Sequence, residues 1–212
     1  MDEVDRRRRA GRELSGAATT PVIERLARAL ARHEPLRAER DPPYREAAVA
    51  LVLAPRGIDA DLLLMRRATH AGDPWSGQIS LPGGRAEPGD ASLLETAVRE
   101  TREETTVDLA GVQPLGVLDE LRPRTPSLPP FIVRPFVLAV QAVPSVAPSD
   151  EVAELFWAPL ERLFDPGRSV RADVQTRGRI LSVEAIDYDG RIIWGMTERI
   201  LRTLEGVLMR SA

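Results

Sequence analysis

The chain has 212 residues, of which 43% are hydrophobic, and this length and composition predict one compact domain with a sizeable core. Its formal net charge is −3, from 29 basic and 32 acidic residues, which excludes a general basic field for nucleic acid. Neither cysteine nor lysine occurs, which excludes disulfides, thiolate nucleophiles, cysteine-based zinc sites and lysine-dependent Schiff-base chemistry.

The chain begins with a polar segment that has no regular pattern. Residues 1–20 combine an arginine run with glycine, serine, alanine and threonine, so we expect a flexible tail. This start lacks the apolar stretch of a secretory signal, and no apolar run approaches the roughly 20 residues that a membrane helix needs. We therefore expect a cytoplasmic protein that binds neither membrane nor nucleic acid.

Helix and strand patterns alternate after this tail. Apolar residues from Pro21 recur at helical spacing, which predicts a helix that ends between residues 33 and 35. Further helices are predicted at 91–106, 159–164 and 193–209, and strands at 47–54, 62–65, 115–121, 131–140 and 152–157. Residues 71–90 form a loop rich in glycine, proline and aspartate, and residues 122–130 a proline-rich linker.

The order of these elements predicts the fold class. Strands mixed with helices in no strict βαβ rhythm indicate an α/β fold of the mixed α+β kind, with a mixed β-sheet sandwiched between helices. We expect one domain over residues 21–212.

The predicted helix at 91–106 carries an acidic cluster. A rotation of about 100° per residue places Glu100, Glu103 and Glu104 within one arc beside an apolar stripe that packs on the sheet. Like charges this close destabilise a helix by a few tenths of a kcal/mol per pair unless a cation compensates them. That cation could be Arg99 or Arg102 in an ordinary surface helix, or it could be a bound metal ion.

A glycine-rich segment precedes this helix and favours the metal. Leu81-Pro82-Gly83-Gly84 brings a tight backbone to the start of the helix, where its carbonyl oxygens can face the carboxylates. Carboxylate and carbonyl oxygens are the ligands that Mg²⁺ and Mn²⁺ accept.

The segment 84–107 resembles the Nudix box, G-x5-E-x7-R-E-U-x-E-E-x-G-U, in which U is aliphatic. It departs from the box where Asp90 replaces the first glutamate with one extra residue before Arg99, where Thr101 replaces an aliphatic residue, and where Thr106 replaces the last glycine. The resemblance implies the Nudix fold and a Mg²⁺- or Mn²⁺-dependent hydrolysis of the pyrophosphate bond in a nucleoside diphosphate derivative.

Other stretches resemble the coenzyme A pyrophosphatase branch of that superfamily. They lie at 62–68, 77–84, 150–160 and 193–197, so the resemblance covers about residues 45–205. It implies cleavage of coenzyme A or its derivatives to 3′,5′-ADP and phosphopantetheine. An arginine that this branch carries between Arg67 and Gly77 is absent, so a hydrolase of ADP-ribose, a dinucleotide or a nucleoside triphosphate stays open, as does a non-catalytic Nudix-fold ligand sensor.

The resemblance also implies roles for individual residues. Glu100, Glu103 and Glu104 would be metal ligands, and the Gly83 carbonyl could be a further one. Arg99 would hold the acidic helix against Asp90 or Glu103, a role that suits a forked and permanently charged donor. The general base varies among Nudix proteins, and Glu151 is the first candidate among the loop carboxylates.

Four residues are candidates for contact with the substrate. Arg66 and Arg67 end a predicted strand, where adjacent side chains point to opposite faces, so we expect only one of them to bind phosphate. Trp75 could stack on adenine, cover pantetheine or anchor its loop, and Gly84 lies at the start of the box. The expected partner is a nucleotide-sized molecule, and the resemblance is compatible with a homodimer.

Overall fold

Helices and strands alternate along the part of the chain that the structure, a computed structural model, describes: residues 19–70, 75–123, 130–176 and 178–210. The four α-helices of this part are α1 (Pro21–Leu30), α2 (Leu93–Thr105), α3 (Leu160–Leu163) and α4 (Gly195–Met209). The strands are β1 (Arg45–Arg56), β2 (Asp59–Arg67), β3 (Ile79–Ser80), β4 (Gly83–Arg85), β5 (Gly116–Val117), β6 (Phe131–Ala139), β7 (Val152–Pro159), β8 (Ser169–Thr176), β9 (Arg179–Tyr188) and β10 (Arg191–Trp194).

Of the two sheets that the described residues form, the larger has seven strands and is mixed. The central strand β1 pairs antiparallel with β2 and β4 and parallel with β6. Strands β3 and β7 pair with β2, and β5 pairs with β6. A parallel pair needs a crossover connection, and α2 lies in the chain between β1 and β6.

The two faces of β1 pack against different helices because side chains alternate along a strand. Leu51 and Leu53 belong to a core that includes residues of α1 and α4. Ala48, Ala50 and Val52 belong to a second core that includes residues of α2. The mixed sheet therefore lies between helices, which confirms the predicted fold class.

The smaller sheet consists of β8, β9 and β10 in antiparallel order, and no strand is predicted for it from the sequence. Its local signal is the alternation of Val170, Ala172 and Val174 with polar residues, followed by Gly178 at a φ of +70° in the turn. This alternation is hard to interpret from sequence because the apolar residues are few and small.

Several predicted boundaries are wrong by a few residues. The closing helix begins at Gly195, because Ile193 and Trp194 belong to strand β10. The acidic helix begins at Leu93 because the Ser92 side chain accepts the Glu95 N–H as an N-cap.

Two other predicted elements are shorter than expected. The first helix ends at Leu30, where the apolar spacing gives way to polar residues. The strand predicted at 115–121 is reduced to Gly116–Val117 and an isolated bridge between Leu121 and Val133.

Parts of the predicted tail, loop and linker lie outside the described residues, namely residues 1–18, 71–74 and 124–129. At the described end of the tail, the Thr20 hydroxyl accepts the Ile23 N–H and caps α1. Within the described ranges, no helix combines the length and apolar character needed to cross a membrane.

Candidate active site

Two consecutive glycines bring β4 against both β1 and α2. Gly83 has a φ of +143°, and a Cβ there would lie 2.2 Å from the Ala48 carbonyl oxygen. A Cβ on Gly84 would lie 2.5 Å from the Glu100 carboxylate. A side chain at Gly83 would collide with the β1 backbone and one at Gly84 would displace the Glu100 carboxylate, so β4 approaches both elements with backbone atoms.

Glu104 is buried beside these glycines, with 4% of its surface exposed. Its Oε2 accepts the Gly83 N–H at 2.8 Å, and its Oε1 lies 3.9 Å from Arg67 Nη1. Burial raises the pKa of Glu104 to about 8; the Gly83 N–H and Arg67 oppose this shift, and the charge of Glu100 adds to it. The glutamate thus lies within the buried face of α2, whereas the helical periodicity places it beside that face.

Arg99 connects α2 to the loop that precedes it. Its Nε and Nη2 donate to the two oxygens of Asp90, both at 3.0 Å, and Nη2 also donates to the Arg85 carbonyl at 3.1 Å. Its Nη1 donates to Glu100 Oε1 and Glu103 Oε2, both at 3.0 Å. The bonds from Arg99 lower the pKa of Asp90, and those to Asp90 raise the pKa of Arg99.

The other two box glutamates differ in their exposure. The Glu100 side chain is 19% exposed, and burial raises its pKa, an effect that the Arg99 charge opposes. The Glu103 side chain is 58% exposed and bonds to Arg99. In the described part of the chain, no three acidic or histidine side chains are already grouped around one ion position, so the ligand roles of Glu100, Glu103, Glu104 and the Gly83 carbonyl stay predictions.

The loop before β7 brings Glu151 close to this cluster. The Ala147 N–H donates to the Thr105 carbonyl at 3.1 Å, and the Ser149 N–H donates to the Glu104 carbonyl at 3.2 Å. Glu151 itself accepts the Ala68 N–H at 2.8 Å through its backbone carbonyl. Its side chain is exposed, and its negative charge contributes to the raised pKa values of Glu100 and Glu104.

These residues fit a divalent metal ion. Glu100, Glu104 and Glu151 place negative charge beside a glycine backbone, and the charges of Glu100 and Glu151 add to the burial that raises the pKa of Glu104. Hard carboxylate oxygens are the ligands that Mg²⁺ and Mn²⁺ prefer, and a bound cation would relieve the repulsion.

Arg66 and Arg67 have partners on opposite faces of β2, although the pairing of β2 with β7 shifts register between them. Arg66 lies opposite Glu154 on β7 and donates to it through Nε at 3.2 Å, and Glu154 is also bonded to Arg191. Arg67 lies on the face of Glu104. Of the two arginines, Arg67 is therefore the one beside the acidic cluster.

Trp75 contacts a residue that the sequence patterns do not single out. Its ring packs edge-on against Phe131, with 6.4 Å between ring centroids. The Arg85 guanidinium lies 5.1 Å from the Phe131 ring centre, and the Arg85 carbonyl bonds to Arg99. The only sequence signal for Phe131 and Arg85 is their position, at the start of a predicted strand and directly after the glycine pair.

Comparisons with known proteins match most of this chain. The family model described as NUDIX domain matches residues 43–177. A Salmonella paratyphi B protein named "Uncharacterized Nudix hydrolase NudL" is 37% identical over 161 residues, which cover 76% of this chain and 81% of that protein.

Solved structures share the fold. A MutT/nudix family protein from Enterococcus faecalis superposes with a TM-score of 0.55 at 16% identity, covering 99% of this chain and 75% of that one. A NUDIX hydrolase from Alicyclobacillus acidocaldarius gives a TM-score of 0.50 at 20% identity, covering 79% of this chain and 92% of that one.

Proposed function

The chain belongs to the Nudix hydrolase family, and from this premise we propose that it hydrolyses the pyrophosphate bond of coenzyme A or a coenzyme A derivative. Membership makes it a pyrophosphohydrolase of nucleotide-linked pyrophosphates. The observation that carries the proposed chemistry is the buried Glu104, bonded to Gly83 and close to Glu100 and Arg67. The choice of coenzyme A rests on the sequence resemblance at 62–68 and 77–84.

A divalent cation fits this site. We propose that Glu100 and Glu104 hold Mg²⁺ or Mn²⁺, with Glu103 and the Gly83 carbonyl as further ligands. When bound, such an ion supplies positive charge that stabilises the negative charge developing on the phosphates.

The protein's own residues perform the remaining tasks. Arg67 donates to a phosphate oxygen, and Arg99 keeps Glu100 oriented through its bonds to Asp90. Glu151 accepts a proton from the attacking water, whose oxygen forms a bond to phosphorus while the bond to the leaving phosphate oxygen breaks in line.

The nucleotide base would bind near the aromatic residues. Trp75 offers a half-buried ring that packs on the buried Phe131 and lies near Arg85, whose carbonyl bonds to Arg99. The Gly84 backbone would lie along the phosphates. Arg66 is assigned no substrate contact because Glu154 accepts its bond on the opposite face of β2.

A substrate panel tests the proposal. Purified protein with Mg²⁺ or Mn²⁺ is assayed against coenzyme A, its thioesters, NADH, ADP-ribose and nucleoside triphosphates, and the products are identified. We expect coenzyme A or a thioester to give the highest kcat/KM and to release 3′,5′-ADP. A higher kcat/KM for ADP-ribose, a dinucleotide or a triphosphate would overturn the assignment of coenzyme A as substrate but not the assignment of hydrolase activity.

A substitution tests the assignment of Glu104. Glu104→Gln should lower turnover by about 10³-fold or more, the scale expected when a metal-dependent transition-state interaction is lost. The control Glu87→Gln removes one charge from the exposed preceding loop and should retain activity. Near-native turnover of a folded Glu104→Gln variant would contradict the assignment. If the native protein cleaved none of the panel, the ligand sensor would be favoured.

Three further expectations remain proposals: a single domain over residues 21–212, a cytoplasmic location and a homodimer.

A further inference from the structure

Strand β8 is the outer strand of the three-stranded sheet. Among the described residues it pairs with β9 alone, over eight residues and without a register shift. The outward N–H and C=O groups of such an edge can pair with another strand. Proteins often prevent this with short edge strands, proline, β-bulges or charged side chains. The eight-residue β8 has no proline or register shift, and its two charged side chains are of opposite sign.

The side chains of β8 form two rows. Val170, Ala172 and Val174 point to one face and are half-buried, because the β9 residues paired with them cover one flank. These partners are the apolar residues Ala185, Val183 and Leu181. The other flank of the apolar row faces the open edge, where a neighbouring strand would complete its burial.

We propose that β8 pairs antiparallel with β8 of a second copy of this chain, about a two-fold axis at Ala172. The segment Val170-Arg171-Ala172-Asp173-Val174 is complementary to itself in this arrangement. Val170 lies opposite Val174 of the second copy, and Arg171 lies opposite its Asp173. Each contact occurs twice, as in any two-fold interface.

Charge selects this register over its neighbours. The axis must pass through a residue, since a slip of one position would place the apolar row opposite the charged row. An axis at Arg171 would place arginine opposite arginine, and an axis at Asp173 would place aspartate opposite aspartate. Like charges directly opposite each other destabilise a strand pair, so Ala172 is the favoured centre.

The side chain of Arg171 can make the new contact without losing its present ones. Its Nε donates to Ser182 and its Nη1 to Glu184, both at 3.3 Å. Within the described ranges Nη2 makes no such bond, and a guanidinium can bridge two carboxylates. The Arg171 and Glu184 side chains are 69% and 73% exposed, so both are accessible to a partner.

A charge-swap series tests the pairing by light scattering and sedimentation at micromolar concentrations. We expect the native protein to be a dimer, and we expect Arg171→Asp and Asp173→Arg each to weaken the dimer at least about tenfold by placing like charges opposite each other twice. The double variant Arg171→Asp/Asp173→Arg restores opposite charges and should restore the dimer. The control Arg179→Asp makes the same charge change at an exposed residue of β9 and should leave the dimer intact.

Three outcomes would overturn the proposal: a native protein that is monomeric at every concentration, a dimer that resists both single swaps, or a folded double variant that stays monomeric. Thermal unfolding of each variant checks the fold, which we expect to be unchanged because both substituted side chains are exposed. None of these readouts uses hydrolysis, so the dimer and the proposed function can fail separately.

Discussion

Glu104 and Glu120 are both buried carboxylates, yet their pKa values shift in opposite directions. For Glu104 burial dominates, and its pKa is raised to about 8 next to the like charge of Glu100. For Glu120 burial also favours the neutral form, but bonds from Arg40 and Arg134 overcome it and lower the pKa to about 2. A buried carboxylate without enough positive partners is typical of a ligand site, whereas one surrounded by arginines stabilises the fold.

The contact between Gly84 and Glu100 leads to a prediction at the scale of single residues. Gly84→Ala places a Cβ 2.5 Å from the Glu100 carboxylate, which is the mobile end of its side chain and will move away. We expect turnover to fall about 10- to 100-fold, as displacements of about 1 Å in an active site do, with little loss of stability. Steady-state kinetics and urea unfolding measure the two effects.

Gly89 provides the matched control in the same loop. Its φ is not in the left-handed range, and a Cβ there would meet nothing within 4 Å. Gly89→Ala should therefore leave turnover unchanged. Equal turnover in the two alanine variants would mean that the position of Glu100 does not matter for catalysis.

At the scale of elements, the C-terminal end of α2 is hydrogen-bonded to the loop that carries Glu151. Thr106 occupies the position of the last box glycine and adopts a φ of +64°, a left-handed conformation that favours glycine. Its Oγ1 accepts the Ala147 N–H at 3.2 Å, and this N–H also donates to Thr105. The threonine therefore keeps the turn of the box and adds a bond to the loop.

Two substitutions at Thr106 separate the backbone strain from the hydroxyl bond. Thr106→Ala keeps the left-handed conformation and loses the bond, whereas Thr106→Gly loses the bond and relieves the strain. We expect the glycine variant to be more stable than the alanine variant by about 1 kcal/mol. The native protein should be at least as stable as the alanine variant. Urea unfolding gives the order, and an alanine variant more stable than both others would refute it.

At the scale of the whole molecule, Glu120 joins segments that are distant in the sequence. It accepts bonds from Arg37, Ala38 and Arg40, which connect α1 to β1, and from Arg134 in β6. The Glu120 side chain has no exposed surface. Its charge is therefore part of the contact between the connection before β1 and the central sheet.

The lowered pKa of Glu120 predicts how stability depends on pH. In the folded protein its pKa is about 2, below its ordinary value of 4.5, so its carboxylate stabilises the fold above pH 4.5 and this contribution is lost as the pH falls toward 2. Glu120→Gln should lower the free energy of unfolding at pH 7 by about 2–4 kcal/mol, because it leaves several arginines poorly paired.

Unfolding measured across this pH range checks the prediction. The stability difference between the native protein and Glu120→Gln should shrink between pH 4.5 and 2. Glu24→Gln is the control, since Glu24 and Arg28 form an exposed pair 3.8 Å apart that contributes little. A difference that stays constant down to pH 2 would show that Glu120 is not the titrating group.

The sequence by itself determined the core strands, the acidic helix and the glycine pair before it. These are local properties: apolar periodicity reflects which face of an element is buried, and Gly83-Gly84 marks a backbone that side chains would obstruct. The order of the elements likewise indicated a mixed sheet between helices, because such a sheet must cover both of its apolar faces.

Only the tertiary structure decided which of the candidate residues face each other. Periodicity places Glu103 and Glu104 in one arc, but β4 covers Glu104 and leaves Glu103 exposed to pair with Arg99. Arg67 lies beside Glu104 because β2 pairs with β1, on which α2 packs, and Arg66 lies on Glu154 because β2 pairs with β7. Burial and charge at these positions depend on segments far apart in the chain, and local sequence patterns carry no record of such contacts.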